Sequence, residues 1–209
     1  MLREGTKTRT SKQLSEQIES LGASLTAGSG LSSLTSVVSA AGLTDNFDQV
    51  MELFADVILN PSFPQEELNK LKTRMLAQLR MARSQPGFLA SEMFSKVMYG
   101  EHPAARIAPS REVIQSLTPE MLAQFHATHY RPNNAMFGIV GDVKPAEISA
   151  KLEKTFGSWP RADVPQTTIP KAADLGPAKI YLIDRPASVQ TMKLSEPCGD
   201  ALFSCGISV

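Results

Sequence analysis

The sequence predicts an α+β fold: a mainly antiparallel sheet with helices packed on one face. Three observations carry this. Apolar residues recur at helical spacing in several stretches, and two or three other stretches alternate with period two. Gly and Pro punctuate the joins between them. The elements follow in chain order. Gly5-Thr-Lys-Thr-Arg-Thr10 is polar and turn-like. A helix then runs from Thr10 to about Leu21, started by the capping-box pair Thr10 and Gln13, with Leu14, Ile18 and Leu21 on one face. Gly22 ends it. Residues 23–29 and 33–42 alternate and are rich in small and β-branched side chains, so they read as two strands joined at Gly28-Ser-Gly30. Asp45 or Asn46 caps the next helix, 46–60, which presents Phe47, Val50, Met51, Phe54, Val57 and Ile58 inward.

Pro61 closes that helix, and Pro64 opens a long one reaching about Ser84, with Leu68, Leu71, Met75, Leu76 and Leu79 as its apolar stripe. Pro86-Gly87 interrupts it, a helix follows over 88–98, and shorter helices cover 110–116 and 119–128. Asn134–Val143 reads as a strand and 145–156 as a helix. Trp159 through Pro177 holds four prolines and reads as a linker before a last strand, Lys179–Asp184. The domain reading is therefore a domain over 1–160, a Pro-rich linker with its strand over 161–191, and an irregular tail over 192–209. Met1-Leu-Arg-Glu reads as the middle of a folded segment, so the start of the domain is expected to be truncated.

Composition narrows the function classes. The chain has 209 residues, 42% of them hydrophobic, with 21 Lys+Arg balanced by 21 Asp+Glu. Zero formal charge gives no general pull toward nucleic acid. No apolar run is long enough for a membrane span. Two cysteines, Cys198 and Cys205, cannot build a disulfide framework or a cysteine-based zinc cluster. Gly28-Ser-Gly30 lacks the Lys-Ser/Thr of a phosphate loop. His126-Ala-Thr-His129 puts two imidazoles on one helix face, with Glu120 two turns back. That is a possible metal pair or, more simply, two packed histidines. The methionines Met75, Met81, Met93 and Met98 read as core filling. The basic run Lys70, Lys72, Arg74, Arg80, Arg83 reads as a solvated helix face or a partner-facing one.

Four blocks in order carry a family resemblance. They are Met1-Leu-Arg-Glu-Gly-Thr with Leu21-Gly-Ala-Ser-Leu25; Pro61-Ser-Phe-Pro-Gln-Glu-Glu-Leu68; Tyr99-Gly-Glu-His-Pro103; and Leu117-Thr-Pro-Glu120 with Tyr130-Arg-Pro-Asn-Asn134 and Gly141-Asp-Val143. Together they resemble the pitrilysin/insulinase-type zinc metallopeptidases, which include the mitochondrial processing peptidases, and in particular that family's non-catalytic subunits or halves. The resemblance implies one half of a peptidase clamshell that closes around a peptide.

Active members use an inverted H-x-x-E-H motif and a glutamate from a downstream helix, with another acid seven positions before it. No H-x-x-E-H occurs in this chain; it would lie upstream of residue 1. The positions matching the two acids are Leu71 and Gln78, and no acid occurs between Glu67 and Glu92. An aliphatic group cannot ligate, and a neutral amide is a poor substitute for a carboxylate. The resemblance therefore implies no catalytic residue, no metal ligand and no cofactor in this chain, with zinc belonging to active relatives. It also makes Thr26 and Ala27 candidates for contact with an extended peptide, or else ordinary strand residues. Expected partners are a second half-domain or a partner peptidase chain and a peptide, through self-association or a heterodimer. Relatives suggest a bacterial, periplasmic setting. The alternative is a fragment of an active zinc metalloendopeptidase.

Overall fold

Thr10 has extended backbone, and its hydroxyl accepts from the Gln13 N–H while the Gln13 side chain accepts from the Thr10 N–H. This reciprocal cap starts α1, Ser11–Ser20. Gly22 at φ +58° stops it, and the Ala23 N–H returns to the Ile18 carbonyl. The computed structural model describes residues 1–31, 33, 35–166, 168, 169, 171, 181, 183, 193–195 and 206–208. Within these the chain forms β1 (Ser24–Ser29), β2 (Ser36–Ala41), α2 (Phe47–Leu59), α3 (Gln65–Ser84), α4 (Pro86–Tyr99), α5 (Arg111–Ser116), α6 (Pro119–His129), α7 (Pro145–Phe156), β3 (Lys193–Ser195) and β4 (Gly206–Ser208). The α+β class holds.

Two units divide the chain. The first comprises Met1–Leu71 and Ser116–Gln166, the second Lys72–Gln115 and Thr167–Val209. In the first, β1 and β2 pair antiparallel with Leu25 opposite Ala40 and Ala27 opposite Val38. Directly opposed residues share a sheet face, so these four form one apolar side. Leu14 and Ile18 of α1 and Leu53 and Val57 of α2 pack on Leu25 there, as the sequence pattern requires. A second cluster joins Ala55 and Ile58 of α2 to Phe156 of α7, with Phe54, Leu152 and Trp159 around it. In the second unit Arg83 pairs with Glu92 at 2.7 Å and Lys72 donates to the Gln115 carbonyl. There β3 pairs antiparallel with β4, two three-residue strands too short to show a period in sequence.

Four expectations need correction. First, Asn46 does not cap α2 with its side chain; a 3-10 turn over Thr44–Asn46 leads into the helix, and the Asn46 amide donates instead to the Leu21 carbonyl. Second, Pro86 begins α4, because a proline at the first helical position forfeits a donor that has no intrahelical partner anyway. Third, Met81 and Met93 are exposed, so neither is core. Fourth, the expected strand does not begin at Asn134: Pro132–Asn134 forms a 3-10 turn, and 135–140 has no ladder partner among the described residues. Alternation in sequence marks only which face is apolar; a ladder also needs a neighbour. The expected strand Lys179–Asp184 lies outside the described residues.

Candidate functional site

α3 is continuous from Gln65 to Ser84, so Leu71 and Gln78 stand two turns apart on one helix, as the spacing requires. Leu71 is half-buried and Gln78 exposed. β1 carries Thr26, which is exposed and whose hydroxyl lies 2.7 Å from that of Ser39 on β2. Ala27 is half-buried on the opposite, core-facing side. β1 has a strand neighbour on one side only among the described residues.

The two histidines of His126-Ala-Thr-His129 are engaged separately. His126 Nε2 lies 2.7 Å from the Ile58 carbonyl oxygen, which can only accept, so this nitrogen carries the proton. Its ring stacks on Tyr130 with centroids 4.7 Å apart and meets Phe63 edge-on at 6.0 Å. Phe63 is itself buried at φ +48°, a left-handed conformation that bulky residues seldom adopt. His129 leans on Phe125 at 4.5 Å. Among the described residues no three His, Cys, Asp or Glu side chains gather as metal ligands. The donors among the described residues do not assemble a set that fits zinc.

Burial lowers the His126 pKa; the Ile58 carbonyl acts in the opposite direction, and the charges of Arg131 and Lys7 lower it further. The folded state thus favours the neutral ring. Its contribution is fully present above the unfolded value of about 6.5 and is lost as pH falls below it. Urea midpoints are expected to drop between about pH 7.5 and about pH 5.5, and His126→Phe, which lacks the titration, is expected to flatten that difference. An unchanged slope in the variant would count against this assignment.

The most developed polar cluster escaped the sequence reading. Asp56, buried on α2, accepts from Thr6 Oγ1 at 2.7 Å, Arg9 Nη1 at 2.8 Å, Thr8 Oγ1 at 3.0 Å and Asn60 Nδ2 at 3.2 Å. Arg9 also pairs with Glu52 through Nη2 and donates from Nε to Gln17. Burial pushes the Asp56 carboxyl up, but the donors from Thr6, Arg9, Thr8 and Asn60 outweigh it and hold it below the usual carboxylate range. The signal was present in sequence as a lone acid inside the apolar run Leu53-Phe-Ala-Asp-Val-Ile58. Gly5, at φ +141°, lets the chain make this approach: a Cβ there would lie 3.0 Å from Ser62 Oγ. The cluster floors an open cleft of about 550 Å³ walled by Glu52, Asp48, Lys151 and Lys154. The cluster's donors, Arg9 Nε, Nη1 and Nη2 among them, are engaged within the protein. Its role is to fasten the first ten residues to α2.

Comparison with known proteins decides the family. Residues 1–108 match the profile described as Insulinase (Peptidase family M16), which is more than half of the 209-residue chain. The chain belongs to the insulinase peptidase family. Residues 116–195 match a second profile of that family, described as Peptidase M16 inactive domain. An uncharacterized zinc protease from Rickettsia bellii is 28% identical over 155 residues, 74% of this chain and 37% of that protein. The crystal structure of a peptidase M16 inactive domain from Pseudomonas fluorescens superimposes with TM-score 0.73 at 29% identity, covering 83% of this chain and 42% of that one. The first half of the periplasmic protease PqqL from Escherichia coli shares the fold, with TM-score 0.68 at 22% identity over 83% of this chain and 39% of that one. The insulinase-family chain thus spans little more than a third of the length of the curated relatives it matches. No helix among the described residues is long and apolar enough to cross a membrane.

Proposed function

We propose that this insulinase-family chain is a catalytically silent, peptide-binding half of a proteolytic assembly and holds no zinc with its own side chains. One observation supports the reading: α3 carries no acid after Glu67, and the two residues that the resemblance matches to the acids of active members are Leu71 and Gln78. A carboxylate brings both a lone pair and a charge to a divalent cation, and neither residue supplies that combination. Residues 1–160 form the peptidase-type domain in this reading, 161–191 a linker with a strand, and 192–209 a tail. A second half or partner chain completes the clamshell. Substrate backbone adds to the open side of β1 near Thr26 and Ala27, where main-chain groups bind an extended peptide without regard to its sequence.

The test is metal content. The purified chain, incubated with excess zinc and desalted, is expected to retain no stoichiometric zinc by elemental mass spectrometry. One zinc per chain, held by its own side chains, would overturn the reading. Thr26→Pro removes a main-chain donor from β1 and is expected to weaken binding of an extended peptide in a fluorescence-anisotropy titration. Unchanged affinity would move the peptide elsewhere.

A second reading keeps one supporting observation. Relatives bearing the name zinc protease are nearly three times as long as the matched region. This chain would then be part of an active zinc metalloendopeptidase whose H-x-x-E-H motif lies upstream of residue 1. Zinc-dependent peptide cleavage by a longer form that retains Gln78 would favour it.

A further inference from the structure

Among the described residues Phe63 is the one non-glycine residue at positive φ, +48°, and it stands directly before Pro64. A left-handed backbone crowds a bulky side chain, and a following proline pushes its predecessor toward extended conformations. Such strain persists only where the surroundings hold it, and it gathers at elements that switch. The hold on Phe63 is specific. Its side chain is buried, and the His126 ring meets it edge-on at 6.0 Å. That ring also donates from Nε2 to the Ile58 carbonyl at 2.7 Å. Ile58 lies in the last turn of α2, where carbonyls lack intrahelical donors. The Ser62 N–H, which would serve Ile58 if the helix continued, donates to the Gly5 carbonyl instead, at 3.1 Å. One imidazole thus closes the end of α2 and holds the strained residue just ahead of α3.

We propose that residues 58–64 form an acid-sensitive latch, held shut by neutral His126 and opened locally, ahead of the core, when that ring takes up a proton. The site resists the charge for reasons of position. The ring is packed against Phe63 and stacked on Tyr130 at 4.7 Å. The charged groups that act on it, Arg131 just beyond α6 and Lys7 in the opening residues, are both cations. Burial disfavours the imidazolium most; the Ile58 carbonyl favours it, and the two cations reinforce burial. Opening the turn returns the ring to water, where it titrates near its ordinary value of about 6.5. The open state therefore takes up a proton that the closed state disfavours, and opening grows as pH falls below that value. Phe63 regains negative φ in the same step, which makes opening easier here than in the core. The bonds released with it are Ser62 N–H to the Gly5 carbonyl and Lys7 N–H to the Asn60 carbonyl, at 2.9 Å. Global unfolding also frees the ring and shares its pH dependence; local opening differs in exposing little surface. The latch is independent of metal and peptide binding.

The experiment is native-state hydrogen exchange of the full chain by NMR, corrected for intrinsic rates, at about pH 7.5 and about pH 5.5 over a series of low urea concentrations. The amides of Lys7 and Ser62 are expected to open more readily than those of β1 and β2, with little dependence on urea. Their opening is expected to rise about tenfold between the two pH values, the change for one proton taken up on opening. In His126→Phe that rise is expected to vanish, because the ring no longer titrates. Should this variant not fold, the parent decides alone: its His126 ring, followed by NMR, is expected to titrate below the ordinary histidine value. Four results would each overturn the inference. They are Lys7 and Ser62 amides that open only with the full urea dependence of β1 and β2, opening that does not change with pH, a tenfold rise that survives in His126→Phe, and a His126 ring that titrates at or above the ordinary value.

Discussion

Asp56→Ala is expected to lower the unfolding free energy by about 3 kcal/mol, read as a fall in urea midpoint at constant slope. The carboxylate accepts four hydrogen bonds, one from a guanidinium whose side chain is only 20% exposed. Removing it leaves the Arg9 charge without its buried counter-ion and the Thr6 and Thr8 hydroxyls without their acceptor. Asp56→Asn keeps an acceptor oxygen and the volume, so a smaller loss is expected. The pH dependence follows from the sign of the shift. Because the folded carboxyl titrates below its unfolded value, its contribution is present above about pH 4 and fades as pH falls through the lower folded value. In Asp56→Asn that part of the acid limb should disappear. An Asp56→Ala variant as stable as the parent would remove the cluster from the account of how the chain's start is held.

Phe156→Ala is expected to cost about 3–5 kcal/mol, the usual range for truncating a buried aromatic. Phe156 is 8% exposed and lies at the centre of an aromatic group: Phe137 at 4.7 Å, Trp159 at 6.0 Å and Phe54 edge-on at 6.4 Å. Its loss opens a cavity between α2 and α7 and loosens Phe137, which anchors the segment 135–140. Trp159 is the chain's single tryptophan, so its fluorescence reports the site directly. A red-shifted emission together with the lower midpoint is expected. Loss of stability with unaltered Trp159 emission would place the packing defect elsewhere.

Local chemistry made much of the first unit legible. Thr10 with Gln13 and the stop at Gly22 bounded α1 because caps act within a turn of their own residue. The stripes of α1 and α2 named Leu14, Ile18 and Val57 as core, and the long helix placed Leu71 and Gln78 two turns apart. Asp56 and Arg9 were missed because their partners lie 47 residues apart in sequence and no period encodes that meeting. Phe63, held at positive φ against His126, was missed for the same reason.

The order of residues alone determined the family, the α+β class and the lack of any acid on α3 after Glu67, since each of these resides in residue identity and local spacing. Only the tertiary structure decided that His126 serves a carbonyl and a ring stack, and that Asp56 ties the opening residues to α2. Those outcomes depend on which surfaces arrive next to one another, and a hydrogen bond or a strand pair exists only when both members are present.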